Sequence, residues 1–148
     1  MTIYLGADHA GFRLKTMLSE HLVHQGHNVL DCGAQNLDAE DDYPRFAYAV
    51  ASRILGGDDD DLGVLICGSG QGMSMAANRV NGVRAALAWS EETAVSSRAD
   101  DNANVLVLPS RFISDEEAID ILDTFIETHF KSNPKYQRRL DELEQLYG

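Results

Sequence analysis

Five short apolar segments, separated by segments with helical periodicity, are the feature that most constrains the fold of this chain. The third of them, Leu62–Cys67 (LGVLIC), is a continuous apolar run of the kind found in a strand buried on both faces. Strands joined through helices pair in parallel and carry those helices on the faces of the sheet. The pattern therefore predicts an α/β protein with a three-layer αβα, Rossmann-like fold and a five-stranded parallel sheet.

The same pattern predicts the positions of the individual elements. We expect strands at 3–5, 29–30, 62–67, 83–87 and 105–108. We expect helices at 10–25, 44–55, about 71–79, 91–99, about 115–130 and from 134 onward. Ser114 precedes three acidic residues, which is a strong helix start. No repeat or linker interrupts the series, so we predict a single domain over residues 1–148.

The charge of the chain excludes several partners. Its formal net charge is −12, which disfavours binding to nucleic acid or to anionic membranes. Much of that charge lies in two acidic runs, Asp38–Asp42 and Asp58–Asp61, which we expect to be solvated loops. No apolar run approaches the roughly 20 residues needed to cross a bilayer.

The two cysteines indicate a reducing compartment. Cys32 and Cys67 are far apart in the sequence, and neither belongs to a cluster with zinc-site spacing. The N-terminal segment lacks the basic and apolar regions of a signal peptide. We therefore expect reduced thiols, no metal site and a cytoplasmic protein.

Unusual residues follow two of the predicted strands. Asp8 and His9 come after the first, and the glycine-rich segment Cys67–Gly72 (CGSGQG) begins at the end of the third. Ligands of open parallel sheets bind at the carboxyl ends of the strands. We therefore expect the functional site at this edge, although Asp8 and His9 also fit a helix N-cap with a surface histidine.

The glycine-rich segment is expected to bind an anion. Gly68, Gly70 and Gly72 let the backbone approach a ligand and turn its N–H groups inward. The dinucleotide fingerprint does not fit, because Met73 stands where its third glycine belongs. A tight turn is the alternative for the glycines. Cys67 is either a reactive thiolate at the head of a helix or an inert core residue.

The last predicted helix offers a basic pair. Lys135 and Arg139 are four residues apart and share one face. They either hold a phosphate or form ion pairs with Asp141 and Glu142.

These residues lie within a longer resemblance. The chain resembles the ribose-5-phosphate isomerase type B / galactose-6-phosphate isomerase family over nearly its full length. The matching segments are GADHAGFRLK at 6–15, DCG at 31–33, DDYP at 41–44, CGSGQGMSMAAN at 67–78, NGVRAALAW at 81–89, NANVLVLPSR at 102–111 and YQRRLDEL at 136–143.

The resemblance implies a sheet order of 2-1-3-4-5 and no metal or organic cofactor. It implies a homodimer, or a tetramer built from it, with a C-terminal helix that reaches the partner subunit's site. The implied reaction is aldose–ketose isomerisation of a sugar phosphate, with ribose 5-phosphate expected and a hexose 6-phosphate as the alternative.

The resemblance also assigns roles to individual residues. Cys67 corresponds to the base that moves a proton between C2 and C1 through a cis-enediolate. Asp8 corresponds to its acid/base partner, and Tyr43 lies beside it. The anion hole corresponds to Ser69 and the amides of Gly68 through Gly72, which include Gly70. The substrate-binding positions further include His9, Met73, Arg111, Lys135 and Arg139, four of which (all but Met73) are assigned to the phosphate; some members carry a glutamate at the position of Met73.

One departure concerns ring opening. Family members carry a His-Asn pair where this chain has Asp100 and Asp101. Either a carboxylate at position 100 opens the sugar ring beside Asp101, or the loop has diverged and the open-chain sugar is used. Two other classes share the fold: a nucleotide- or flavin-binding module, and a sugar-phosphate sensor without a catalytic base.

Overall fold

A computed structural model describes residues 1–148 and contains one five-stranded parallel sheet between helices. The strands are β1 (Thr2–Ala7), β2 (Asn28–Asp31), β3 (Leu62–Cys67), β4 (Ala85–Leu87) and β5 (Val105–Pro109). The helices are α1 (Phe12–His24), α2 (Tyr43–Gly56), α3 (Gln71–Ala77), α4 (Glu91–Ala99), α5 (Asp115–Glu127) and α6 (Pro134–Tyr147). The predicted fold class is confirmed, and each predicted element is present.

Two apolar clusters hold the three layers together, one on each face of the sheet. One contains α1, α4 and α5 residues such as Leu18, Ala94 and Phe125, packed against one face of the sheet. The other contains α2 and α3 residues, such as Val50 and Met73, packed against the opposite face. Burial on both faces explains why β3 and β5 are apolar throughout.

The predicted order of the last two strands is wrong. The sheet runs β2-β1-β3-β5-β4, so that β5 pairs with β3 and β4 lies at the edge. All five residues of β5 are buried, whereas the three residues of β4 are half-buried. A short strand with partly exposed residues suits an edge, and a longer, fully buried strand suits the interior.

N-terminal caps fix where α4 and α5 begin. Ser90 and Ser114 each form a capping box, with Thr93 and Glu117 as the respective partners. Helix α6 contains no buried residue. None of the helices combines the length and apolar character needed to span a lipid bilayer.

The second acidic run is not uniformly solvated, contrary to expectation. Asp61 is only 4% exposed. Its carboxylate accepts hydrogen bonds from the Thr2 amide (2.5 Å), the Tyr4 hydroxyl (3.2 Å) and the Asp58 amide (3.1 Å). Burial raises the pKa of Asp61, but these hydrogen bonds outweigh it and leave the pKa below its ordinary value. The carboxylate therefore joins the start of β1 to the loop before β3.

Asp61→Asn is expected to lower the free energy of unfolding at pH 7 by about 1.5–3 kcal/mol, the range for hydrogen bonds to a charged group. Because the folded-state pKa of Asp61 is lowered, its contribution is present above the unfolded-state pKa and is lost as the pH falls through the folded-state pKa. The difference between variant and parent should therefore shrink in acid. Urea unfolding at several pH values measures it.

Asp59→Asn is the matched control, because Asp59 is exposed and the charge change is the same. Equal unfolding free energies for the two variants at neutral pH would contradict the role of Asp61.

Candidate active site

The register of the three central strands brings the predicted site residues together. Ala7 of β1 pairs with Ile66 of β3, and Cys67 pairs with Pro109 of β5. Asp8 therefore emerges beside Cys67 at the carboxyl edge of the sheet. The chain after β5 is tied to the same place, because the Ser110 amide donates to the Cys67 carbonyl (2.9 Å).

A pocket of about 210 Å³ lies at this edge. It is lined by Asp8, His9, Ala10, Tyr43, Cys67, Gly68, Ser69, Gly72 and Arg111. Eight of these nine residues are sequence-predicted site residues, drawn from four separate segments of the chain. Larger cavities lie elsewhere, but this one unites a thiol, a carboxylate, an imidazole and a guanidinium.

The glycine-rich loop presents backbone donors at the pocket. Gly70 has a φ of 75°, in the left-handed region that glycine adopts readily. The amides of Ser69, Gly70, Gly72 and Met73 have no backbone acceptor, and the Gln71 amide has only a long contact of 3.4 Å to Ser69 Oγ. Unpaired N–H groups at the start of α3 are suited to a negatively charged oxygen.

Two of the glycines allow side chains to lie directly on the loop. A Cβ at position 68 would come within 2.8 Å of the Arg111 guanidinium carbon. A Cβ at position 72 would come within 2.6 Å of Cζ of the Tyr43 ring. The Arg111 amide also donates to the Gly68 carbonyl (3.0 Å). Arg111 and Tyr43 therefore lie directly over the glycine backbone, and a larger residue at either position would have to displace the end of one of these exposed side chains.

Asp8 has a structural role beside any chemical one. Its Oδ1 accepts hydrogen bonds from the amides of Ala10 (3.0 Å) and Gly11 (3.2 Å), which fixes the turn before α1. This agrees in part with the capping alternative, although Gly11 is the N-cap itself. The other carboxylate oxygen, Oδ2, has no hydrogen-bond donor within the chain. Asp8 is 7% exposed and faces the pocket.

His9 is bound to a residue that the sequence analysis missed. Asp41 Oδ1 accepts from the His9 amide (2.8 Å) and lies 2.9 Å from His9 Nδ1. The hydrogen bond to Asp41 raises the pKa of His9 above its ordinary value, and the Asp8 charge adds to the effect while burial opposes it. Asp41 was predicted to lie in a solvated acidic run, but its side chain is 5% exposed. The only sequence signal was its place in the DDYP segment.

Two predicted substrate-binding residues do not line the pocket. Met73 is completely buried, and its side chain packs in the same apolar cluster as Cys67. An apolar side chain at this position turns into the core, so Met73 offers only its amide to the site. Gly70 is also buried and contributes backbone alone.

Four further predicted residues do not line the pocket of Cys67. Asp101 and Arg139 line a cavity of about 530 Å³ beside edge strand β4. Asp100 is the C-cap of α4, and Lys135 is exposed on the first turn of α6. The structure therefore does not bring these residues to Cys67 within one chain.

The alternative ion pairs of α6 are absent. Neither Lys135 nor Arg139 forms a salt bridge with a carboxylate. Asp141 instead accepts a hydrogen bond from the side-chain amide of Gln137 (2.8 Å). The basic pair therefore remains available for another partner.

Comparison with known proteins gives the family. The sequence profile described as Ribose/Galactose Isomerase matches residues 3–143. The chain belongs to the ribose/galactose isomerase family. This confirms the resemblance derived from the sequence segments.

Relatives in this family cover the chain almost completely. A protein described as probable ribose-5-phosphate isomerase B from Mycoplasma genitalium is 50% identical over 141 residues, which are 95% of this chain and 92% of the relative. The ribose-5-phosphate isomerase B of Mycobacterium tuberculosis is 45% identical over 98% of this chain and 89% of its own length.

Solved structures of family members share the fold. A crystal structure of the Mycoplasma genitalium enzyme with bound ribulose-5-phosphate superposes with a TM-score of 0.94 and 48% identity, covering 98% of this chain and 95% of that one. The Thermotoga maritima enzyme gives a TM-score of 0.92 and 40% identity, with 97% of each chain covered.

Proposed function

We propose that this chain interconverts ribose 5-phosphate and ribulose 5-phosphate. The observation that carries the proposal is the position of Cys67, whose thiol lies beside Asp8 and a row of unpaired backbone N–H groups in one pocket. The names of the relatives support the substrate, and the solved relative with bound ribulose-5-phosphate supports it further. A hexose 6-phosphate is the competing substrate, since the family description also covers galactose isomerases.

The chemistry requires a base and an anion site. In open-chain ribose 5-phosphate, the thiolate of Cys67 removes the proton from C2, and the electron pair moves onto the carbonyl oxygen at C1 to give a cis-enediolate. The same sulfur then returns the proton to C1, while a proton passes from the C2 hydroxyl to the C1 oxygen. Positioned bases of this kind accelerate proton transfer by about a hundredfold to ten-thousandfold. Met73 leaves no carboxylate on α3 to replace the thiolate.

Two groups assist this proton transfer. The free amides of the glycine-rich loop donate to the enediolate oxygens, where negative charge develops. Asp8 Oδ2 is available to exchange a proton with a sugar hydroxyl, because its other oxygen is already engaged by the turn. Tyr43 closes the pocket over Gly72.

The phosphate needs cations that one chain supplies only in part. His9 and Arg111 line the pocket, whereas Lys135 and Arg139 lie beyond β4. We propose that α6 of a second copy supplies the latter two residues, in a homodimer whose sites lie at the interface. The absence of buried residues in α6 supports this assignment, since the helix has little packing within its own chain.

Residues 1–148 act in this proposal as one isomerase domain. The thiol chemistry of Cys67 supports a reducing, cytoplasmic location, because the base must stay unoxidised.

Replacing Cys67 should abolish turnover. Cys67→Ala is expected to slow isomerisation by about a hundredfold to ten-thousandfold, the contribution of a general base. Inorganic phosphate should still inhibit or bind with near-parental affinity, because the cations are unchanged. Proton NMR of the ribose 5-phosphate C2 proton measures the loss of exchange.

Cys32→Ala is the matched control, because Cys32 is a free thiol outside the pocket. Parental turnover in Cys67→Ala would remove the thiol from the mechanism.

Replacing Arg139 tests the proposed second copy. Arg139→Ala should raise KM for the sugar phosphate, because a charge-assisted hydrogen bond is worth about 1.5–3 kcal/mol. Arg138→Ala, which removes the neighbouring charge on the same helix, is the control. At substrate concentrations well below the variant's KM, mixing the Cys67→Ala and Arg139→Ala chains should restore about a quarter of parental activity, since half of the dimers are mixed and each mixed dimer has one intact site.

No recovery on mixing, together with a normal dimer by light scattering, would place Arg139 in its own chain's site or in none. Equal KM values for Arg139→Ala and parent would exclude it from phosphate binding.

Ring opening is tested at position 100. An aspartate is ordinarily ionised at neutral pH and is a weaker acid catalyst than a histidine, which titrates near neutrality. Asp100→His should therefore speed turnover of ribose 5-phosphate, which is mostly cyclic, and leave the rate on open-chain ribulose 5-phosphate nearly unchanged. If Asp100 itself acts as the acid, Asp100→Asn should slow only the cyclic substrate. The measurement is the ratio of the two rates for parent and both variants; identical ratios would exclude position 100 from ring opening.

A further inference from the structure

Asp41, which hydrogen-bonds to the pocket residue His9, is a buried charged residue for which the isomerase chemistry above gives no role. It belongs to the loop between β2 and α2, and its side chain is 5% exposed while that of His9 is 37% exposed. A buried carboxylate is unfavourable unless it is hydrogen-bonded or paired. Here its hydrogen-bonding partners are the amide and the ring of His9.

We propose that Asp41 is a positioning residue that holds His9 with Nδ1–H toward the loop and Nε2 toward the sugar phosphate. The proposal rests on the isomerase function proposed above and extends it to the loop before α2.

The hydrogen-bond geometry sets the tautomer. An ionised carboxylate only accepts, so the 2.9 Å contact to Asp41 Oδ1 requires that His9 Nδ1 carry the hydrogen. Nε2 is then the nitrogen that remains for a ligand, and no other side chain of the protein hydrogen-bonds to it. The second hydrogen bond, from the His9 amide to the same oxygen, fixes the backbone and the ring together.

The loop that carries Asp41 is itself anchored. Lys15 is 1% exposed, and its Nζ donates to Asp31 (2.8 Å) and to the Ala34 carbonyl (2.8 Å) at the start of the loop. At the other end, the Asp41 amide donates to the Asp38 carbonyl (3.2 Å). The loop is tied to Lys15 at its start and turned locally at its end, and Asp41 is the one buried residue of the acidic run Asp38–Asp42.

The charges around His9 favour the protonated ring. Asp8 and Asp41 face it from the ends of β1 and of the β2–α2 loop, and both raise the pKa of the imidazole. Tyr43, Cys67 and Arg111 face the same pocket from α2, β3 and the segment after β5. A protonated His9 donates through Nε2–H to a phosphate oxygen; in the neutral ring with Nδ1 protonated, Nε2 would only accept and would repel that oxygen.

The first experiment measures the imidazole pKa of His9 by NMR titration of the ligand-free protein. In Asp41→Asn the pKa should fall toward the ordinary value of 6.5. Asp42→Asn is the matched control, because it removes the same charge from the adjacent, exposed residue. This measurement does not depend on any enzymatic activity.

The second experiment measures ligand binding and turnover across pH 6–9. In the parent, affinity for inorganic phosphate should decline as the pH rises through the His9 pKa, and in Asp41→Asn that decline should move to lower pH. For ribose 5-phosphate at about pH 7.5, KM should rise on the order of tenfold in Asp41→Asn, with kcat changed much less, because the lost contact is to the phosphate and not to the reacting carbons.

The outcomes separate the two proposals. A lowered His9 pKa and weaker phosphate binding in Asp41→Asn would support the role of Asp41 even if the parent failed to isomerise either sugar. An unchanged His9 pKa, an effect equal to that of Asp42→Asn, or a fall in kcat with unchanged KM would overturn it. Should Asp41→Asn fail to fold, Asp41→Glu takes its place: the longer side chain keeps the charge but shifts the oxygen, so a parental phosphate affinity would overturn the positioning role and a weakened one would support it.

Discussion

The parallel pairing of β1 with β3 is the constraint on which the site depends. Its register places Ala7 opposite Ile66, so Asp8, the first residue after β1, lies beside Cys67, the last residue of β3. Gly11 is required for this arrangement, because a Cβ there would lie 2.6 Å from the Ile66 carbonyl oxygen. A larger residue would push the turn carrying Asp8 and His9 away from β3. The sheet thus sets the distance between the proposed base and its neighbours before any of their side chains interact.

The site also depends on the unpaired backbone N–H groups of the glycine-rich loop. The glycine-rich loop leaves four consecutive or near-consecutive amides without acceptors, an arrangement that a buried segment could not keep without cost. The side chains of Arg111 and Tyr43 occupy the space that a Cβ would need at Gly68 and Gly72. They cover part of the loop and line the same pocket as its backbone. The donors thus belong to a defined turn and are partly shielded from water, a condition under which hydrogen bonds to a developing anion are effective.

The sequence predicted the elements and the main site well because each rests on a local signal. The bounds of β3 were predicted correctly from its apolar run, and the start of α5 from the Ser114 cap; the helix ends at Glu127, three residues before the predicted end. The order of the last two strands was predicted wrongly. Whether β4 or β5 pairs with β3 depends on how deeply each strand is buried, and the two strands look similar in the sequence. Asp41 and Asp61 were missed for a related reason. Within a run of acids, the one that turns inward is decided by donors far away in the sequence, here His9 and Thr2.

Because the chain is strongly acidic, the few cations at the pocket are important for binding a sugar phosphate. A protein with a formal net charge of −12 repels a sugar phosphate at long range, so binding must come from contacts formed within the pocket. Within the salt-screened distance of about 8–10 Å, local cations outweigh distant carboxylates. Arg111 is one such cation; it lies over Gly68 and forms no ion pair with an acid. His9 is a second cation only when its ring is protonated. A buried carboxylate beside the ring favours that protonated form, which is why it is useful near an anion site. Asp41 lies on the Nδ1 side of the ring, where its negative charge stabilises the imidazolium while the ring separates it from Nε2 and the phosphate.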